Sequence, residues 1–280
     1  MRDRFGLGWR PELAAGILAH LDRIDVVEVI AEDHFRDGRR ALRALRTLAA
    51  QVPMLLHGVS LGLASTVAVD DARLDRMARL MAATDAEAWS EHLAFVRGGG
   101  IEIGHLAAPP RTAASVAGAA ANIARATARV GSAPLLENIA TLVAPPASTL
   151  DEAEWTGRIL AASGAPLLLD LHNLYANAVN FGAEPLALLR RFPLQCVATV
   201  HLSGGRWITG PGGTRRLLDD HRHDVPDGVL TLLRALGEWA PQPLTVIIER
   251  DGRYPPMAHL LAELDAARQA LAQGRLRKAA

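Results

Sequence analysis

The chain of 280 residues reads as an α/β protein built as a single (β/α)8 TIM barrel, and three observations lead there. Apolar, strand-like runs alternate with helix-sized segments along most of the length, which is the signature of repeated βα units around a parallel sheet. The runs number about eight, the count of such a barrel. Half of the residues are apolar, and no Ser/Gly-rich or charge-run linker divides them, so one large core is favoured over two small ones.

In chain order, the strand-like runs are 26–30, 54–59, 88–95, 134–139, 166–172, 197–202, 215–219 and 244–249. Helices are expected over 39–50, 71–83, 112–130, 151–163, 184–192, 227–239 and 256–273, with Asp71, Thr112, Asp151 and Asp227 placed as N-caps or first-turn residues. The Gly-rich stretch 207–213 reads as a loop covering a site. Residues 1–272 are expected to form the catalytic barrel and 273–280 a polar, basic tail that frays.

Composition excludes several functions. Thirty basic residues balance thirty acidic ones and are spread throughout, which leaves no electrostatic footprint for nucleic acid. No run reaches the roughly 18 apolar residues of a membrane span, and the charged first ten residues lack the apolar core of a signal peptide. The single cysteine, Cys196, cannot form an internal disulfide. A cytoplasmic protein with no membrane or nucleic-acid partner is expected. Cys196 opens an apolar strand and reads as a core thiol. Gly98-Gly99-Gly100 is not followed by a helix start with Lys-Ser or Lys-Thr, so it is no phosphate loop.

The ends of the runs carry the chemistry. In order they lead to Glu32, His57, His92, Glu137, Asp170 with His172, His201, Asp219 with His221, and Glu249. Every one is a metal-ligand type. Parallel barrel strands all end on one face, where active sites of this fold lie. Asp170 and His172, spaced i and i+2, share a face if the strand runs through both, although Asp170 also reads as the N-cap of a following helix. Crowded carboxylates repel unless a cation is present. The ligand-type groups exceed the three or four that one ion takes from protein, so two or three ions are inferred. Mixed imidazole and carboxylate ligation suits iron, zinc or manganese, and does not choose among them.

Nine short motifs then carry a resemblance. These are Gly-Leu-Gly-Trp-Arg at 6–10, Glu-Val-Ile-Ala-Glu-Asp at 28–33, His-Gly-Val-Ser-Leu at 57–61, Ser-Glu-His-Leu at 90–93, Leu-Glu-Asn-Ile at 136–139, Asp-Leu-His-Asn at 170–173, His-Leu-Ser-Gly at 201–204, Asp-Asp-His at 219–221 and Ile-Glu-Arg-Asp at 248–251. In this order, and over nearly the whole chain, they resemble the multinuclear non-heme iron-dependent oxidative enzymes, a family that includes the methanobactin-biosynthesis oxidase. The resemblance implies a xylose-isomerase-like TIM barrel with two or three irons, Fe(II) and Fe(III), that uses O₂ to remodel residues of a ribosomally synthesised precursor peptide. Cysteine is the expected target, with Asp or Asn as alternatives. It implies metal-binding positions at His57, His92, Glu137, Asp170, His172, His201, Asp219, His221 and Glu249, with Glu137, Asp170 and His201 catalytic through the bound metal. It also implies a separate partner protein that recognises the peptide's leader. The chain departs from the family at Asp33 and His172, where many members have Asn, and at Asp220, where a small residue is common. Either Asp219 or Asp220 can then be the ligand, and the i, i+2 spacing to His221 favours Asp219.

Arg10, Glu32, Asn138, Asn173 and Asn180 are candidates for substrate binding or for orienting ligands, against the plainer reading of turn hydrogen bonding by the asparagines. His20, His34, His105, His223 and His259 are assigned to surface or helix positions, with His34 and His223 neighbouring proposed site residues. Two rivals come from other classes. One is a zinc- or manganese-dependent sugar isomerase, or an endonuclease IV-like phosphodiesterase, on the same barrel; the other is a non-catalytic metal-binding scaffold. A nuclease calls for a basic groove that the neutral charge does not offer, an isomerase works without O₂, and a scaffold is expected to have lost ligands.

Overall fold

The computed structural model describes residues 2–279. Its strands are β1 (Arg4–Gly8), β2 (Val26–Ile30), β3 (Met54–Gly58), β4 (Ala88–His92), β5 (Phe95–Gly98), β6 (Ile101–Ala107), β7 (Leu135–Glu137), β8 (Leu167–Asp170), β9 (Val197–Leu202), β10 (Gly205–Thr209), β11 (Arg215–Asp219) and β12 (Thr245–Ile248). Helices are α1 (Ala14–Leu18), α2 (Arg39–Ala49), α3 (Asp71–Thr84), α4 (Ala113–Val130), α5 (Glu152–Ser163), α6 (Leu171–Phe181), α7 (Pro185–Arg191), α8 (Asp227–Trp239) and α9 (Met257–Ala279). Eight strands form a closed parallel barrel in the order β1-β12-β9-β8-β7-β4-β3-β2, while β5–β6 and β10–β11 are separate antiparallel pairs. The expected α/β barrel is therefore observed.

The chain divides into two compact units. One contains Val26–Ile139 and Pro145–Leu168, and here β2, β3, β4 and β7 pair in parallel succession. Its helices start where side chains satisfy the first free N–H groups: Asp70 caps α3, Asp151 caps α5, and Thr112 and Ser115 form a reciprocal capping box on α4. Each cap contributes about 1 kcal/mol. Thr112 and Asp151 are the expected caps, whereas Asp71 lies in the first turn behind Asp70.

The other unit holds the segment ending at Asp25, Ala140–Ala144, and the chain from Leu169 onward. There β12 pairs in parallel with β1 on one side and β9 on the other. Helices α8 and α9 cross at glycines: a Cβ on Gly237 would stand 2.6 Å from Leu271 O, and one on Gly274 would stand 2.0 Å from Arg234 O. Only hydrogen fits at that crossing, and any larger residue would force the helices apart.

Several expectations are corrected. The seventh barrel strand is not 215–219: its Arg-Arg-Leu-Leu-Asp pairs antiparallel with Gly205–Thr209, so part of the presumed covering loop is itself a strand. The eighth barrel strand is instead β1, whose Arg-Phe-Gly-Leu-Gly has two glycines and little strand propensity, yet is buried over most of its length by pairing with β12. The run 88–95 breaks after His92. The run 166–172 ends at Asp170, and His172 sits in the first turn of α6, so Asp170 is the N-cap that its alternative reading offered, of a helix outside the expected ranges. Helix α9 continues past residue 273 to Ala279, because Arg275 binds Asp3 at 2.9 Å and Gln242 O at 2.7 Å instead of fraying. Cys196 is half-buried in a 3-10 turn ahead of β9 and is not a core thiol.

Candidate metal centre

In the unit that begins at Val26, the parallel register sets His57 beside Ser90 and His92 beside Glu137. The ends of β3, β4 and β7 thus deliver two imidazoles and a carboxylate, all buried, with one ligand-type atom from each within 4.8 Å of the others. His57 Nε2 and His92 Nε2 approach the same atom, Glu137 Oε2, at 3.6 and 3.4 Å. Those separations exceed ordinary hydrogen-bond length. The His57 and His92 rings meet edge to face with centroids 4.7 Å apart.

Groups behind this trio set its orientation. Ser90 Oγ lies 2.8 Å from His57 Nδ1. That contact holds the ring from behind, with Nε2 as the nitrogen facing Glu137. Glu91, on the opposite face of β4, accepts from Leu61 N–H and His92 N–H, both at 3.0 Å. Glu32 does not join the trio. Its Oε1 accepts from Val59 N–H at 3.0 Å, and burial, with the charge of Glu91 second, pushes its carboxyl above the usual range. Ser90 was missed by sequence reasoning, although it stands two residues before His92 and so shares its face.

In the other unit, Asp170, His201 and Glu249 form a second buried set whose ligand-type atoms also lie within 4.8 Å of one another. Asp170 ends β8 and caps α6, its Oδ1 accepting from Asn173 N–H at 2.7 Å. The cap engages one carboxylate oxygen, so capping and coordination do not exclude each other. His201 Nδ1 lies 3.1 Å from Glu249 Oε2.

A third set in that unit shares one carboxylate. Asp219 Oδ1 lies 2.8 Å from His172 Nδ1, and its Oδ2 lies 3.0 Å from His221 Nε2. His221 Nδ1 faces Asp251 at 3.2 Å and Glu249 at 3.3 Å. Burial alone would lower the His221 pKa, but Asp219 and Glu249 outweigh it and hold the imidazole well above its usual range. Burial alone would raise Asp219, but His221 and His172 hold it far below the usual carboxylate range. His221 occupies this place with φ of 51°, in the left-handed region. Asp220 turns away to His223 Nδ1 at 2.8 Å and to Arg206 at 3.3 Å.

Arg10 reaches Asp251 Oδ1 from Nε at 2.9 Å and from a terminal nitrogen at 2.6 Å, and so braces the carboxylate that faces His221. Asp251 was missed, although it lies two residues past Glu249. Asn180 accepts from Leu217 N–H at 2.7 Å and donates to Leu217 O at 2.9 Å, fixing the strand that ends in Asp219. Asn173 donates its backbone N–H to the Asp170 cap, while Asn138 is buried beside Arg111, Glu152 and Trp155. His34 pairs with Asp37 at 2.6 Å. Asp224, His259 and Glu263 also cluster, but Asp224 and His259 are exposed, and Arg250 already neutralises Asp224 and Glu263 at 2.8 and 3.0 Å.

A barrel whose strand ends gather buried imidazoles and carboxylates in sets able to hold ions defines a metalloenzyme-like protein. The sequence model of the RiPP precursor modification enzymes MbnB/TglH/ChrH, which act on ribosomally synthesised and post-translationally modified peptides, matches residues 4–272, and the chain belongs to that family. It is 35% identical to a UPF0276 protein of Caulobacter vibrioides over 98% of this chain and 96% of that one. It is also 35% identical to a UPF0276 protein of Streptomyces avermitilis over 95% of this chain, but spans only 54% of that longer relative. Solved structures with a similar fold include L-ribulose 3-epimerase (TM-score 0.60, 14% identity, 98% of this chain and 96% of that one) and endonuclease IV from Thermus thermophilus (TM-score 0.58, 18% identity, 96% and 99%). At such identities these two structures speak for the xylose-isomerase-like barrel and not for its chemistry. No described helix is long and apolar enough to cross a membrane.

Proposed function

We propose that residues 1–272 form one catalytic domain that uses iron and O₂ to oxidise a residue of a ribosomally synthesised precursor peptide, cysteine foremost and Asp or Asn next, in the cytoplasm. The observation that supports it is the crowding of buried imidazoles and carboxylates at strand ends, in a member of a peptide-modifying family. The residues fit metal: two imidazoles point at one carboxylate oxygen from beyond hydrogen-bond length, and Ser90 holds the far nitrogen of one of them, as in metal-binding histidines. In this reading His57, His92 and Glu137 hold one ion, Asp170, His201 and Glu249 a second, and His172, Asp219 and His221 a third. Bound iron supplies the redox capacity that these side chains lack.

The side chains do the rest. Burial keeps bulk water from the ligands and strengthens every charge interaction among them. Asp219 accepts from His172 and His221, and so holds the His221 proton at Nε2, where a bound cation would take its place. Arg10 and Asp251 hold the opposite nitrogen of the His221 ring in place. A separate partner protein is assigned the recognition of the peptide's leader.

Metal analysis of protein purified without oxygen, joined to Mössbauer or EPR spectra, tests the reading. Iron in more than one site is expected, and stoichiometric zinc without iron would overturn it. Co-expression with a short Cys- or Asp-containing peptide encoded beside this gene, followed by mass spectrometry, should give a mass change that requires O₂. A mass change that persists without O₂ would overturn the oxidase reading.

A further inference from the structure

The β10–β11 hairpin is rooted in site residues at both feet. Strand β9 carries His201 and is followed directly by β10, while β11 ends in Asp219, two residues before His221. Pairing matches Gly205 with Asp219, Trp207 with Leu217 and Thr209 with Arg215, and directly paired residues share a face. The face that bears Asp219 therefore carries Trp207 and then Arg215 farther out. At the foot, Gly205 lies so near His172 that a Cβ would stand 2.7 Å from its Cε1. Leu217 is buried and clamped by Asn180.

The outer part of this face is unlike the foot. Trp207 is 47% exposed, and the Arg215 guanidinium lies 4.8 Å from its ring centroid. Residues 205–218 include three arginines and no carboxylate. Arg206 meets Asp220, but Arg215 and Arg216 form no ion pair among the described residues. An exposed indole beneath an unpaired guanidinium joins apolar area to a fork shaped for carboxylate, and both residue types are enriched in binding hot spots.

We infer that this face docks an acidic, extended stretch of the precursor peptide, with Trp207 taking an apolar contact and Arg215 a carboxylate. The inference rests on the reading of the substrate as a peptide. Arg215 stands four positions from Asp219 along the strand, a rise of about 13 Å, so the carboxylate belongs about four residues from the residue held at the site.

The test uses the full, metal-loaded chain and a fluorescein-labelled peptide of alternating Glu and Ala, read by anisotropy. Wild type binds it more tightly than the matching Lys-Ala peptide, and salt weakens binding. Arg215→Glu and Trp207→Ala weaken it about tenfold or more, with Arg215→Gln as a milder check on folding, while Arg216→Glu, on the opposite face, costs less than about threefold. All four variants keep wild-type metal content. Equal losses at 215 and 216 would mean charge without a site and would overturn the inference. So would equal binding of the Lys-Ala peptide, or tighter binding of a single-stranded oligonucleotide. A wild-type chain that binds the peptide selectively yet carries zinc and no iron would sink the oxidase reading and leave this one standing.

Discussion

The trio His57, His92 and Glu137 and the trio His172, Asp219 and His221 each join two imidazoles to one carboxylate, at different spacings. In the first, both Nε2 atoms stand 3.4–3.6 Å from one carboxylate oxygen, and His57 is oriented from behind by Ser90. In the second, the carboxylate makes 2.8 and 3.0 Å contacts to both imidazoles, short enough to be charge-assisted hydrogen bonds. Strand ends impose the first spacing, since β3, β4 and β7 cannot slide without breaking their register. The second is carried by a helix turn, a hairpin end and a left-handed residue, and neutralises itself. If the sets take cations as proposed, the first offers groups already spaced for one, whereas a cation at the second would take the place of a proton.

The largest effect expected from this contrast is at the strand ends. His92→Ala removes an atom that nothing else replaces, so metal at that set should fall more than the roughly 100-fold upper range for supporting residues, and peptide oxidation should fall with it. Normal iron and full activity in the purified variant would remove His92 from the ligands. Ser90→Ala keeps every ligand but frees the His57 ring, and should cost about 10–100-fold in metal affinity, read by competition with a chelator.

Protons should separate the two sets next. In chelator-treated protein, His221 is held above the 6.5 of an ordinary histidine, so its contribution to stability is full below that value and is lost as pH rises through the raised folded value. Asp219, held below 3.8, contributes above that value and loses its contribution only as pH falls through its depressed folded value. Stability of the metal-free protein should therefore decline on the alkaline side, by up to about 1.4 kcal/mol per pH unit for one proton. His221→Gln should flatten that slope in urea unfolding. An unchanged slope would mean that His221 is not the proton carrier.

Much of this was legible in the sequence because strand ends are. His57, His92, Glu137, Asp170, His201 and Glu249 close apolar runs, and a parallel barrel carries such ends to one face. What failed had physical causes. Apolar 166–172 hid a helix start, because Asp170 can both end a strand and cap a helix, so His172 reaches Asp219 from a helical turn and not by strand alternation. Leu-Leu-Asp at 217–219 looks like a barrel strand, but the antiparallel partner that claims it is itself Gly-bounded and Arg-bearing. The barrel strand Arg4–Gly8 is chosen by its neighbour β12 more than by its own propensity. Asp251 and Ser90 each stand two residues from a proposed ligand, a spacing that marks a shared side of the chain but does not tell which partner the side chain orients.

The smallest effect should come from the aspartate next door. Asp219 and Asp220 are adjacent and chemically identical, yet the turn after β11 sends one to His172 and His221 and the other to His223 and Arg206. Asp220→Asn therefore gives up partly exposed pairs, worth at most about 1 kcal/mol, and should leave both metal content and the alkaline slope unchanged. Asp219→Asn removes the charge that two buried imidazoles share, and should lower metal at the third set and reduce the slope together, Glu249 and Asp251 still facing His221. Measured side by side by metal analysis and urea unfolding, the pair isolates position from chemistry. If the two variants behave alike, the self-neutralised state of this trio is not what sets it apart from the strand-borne one.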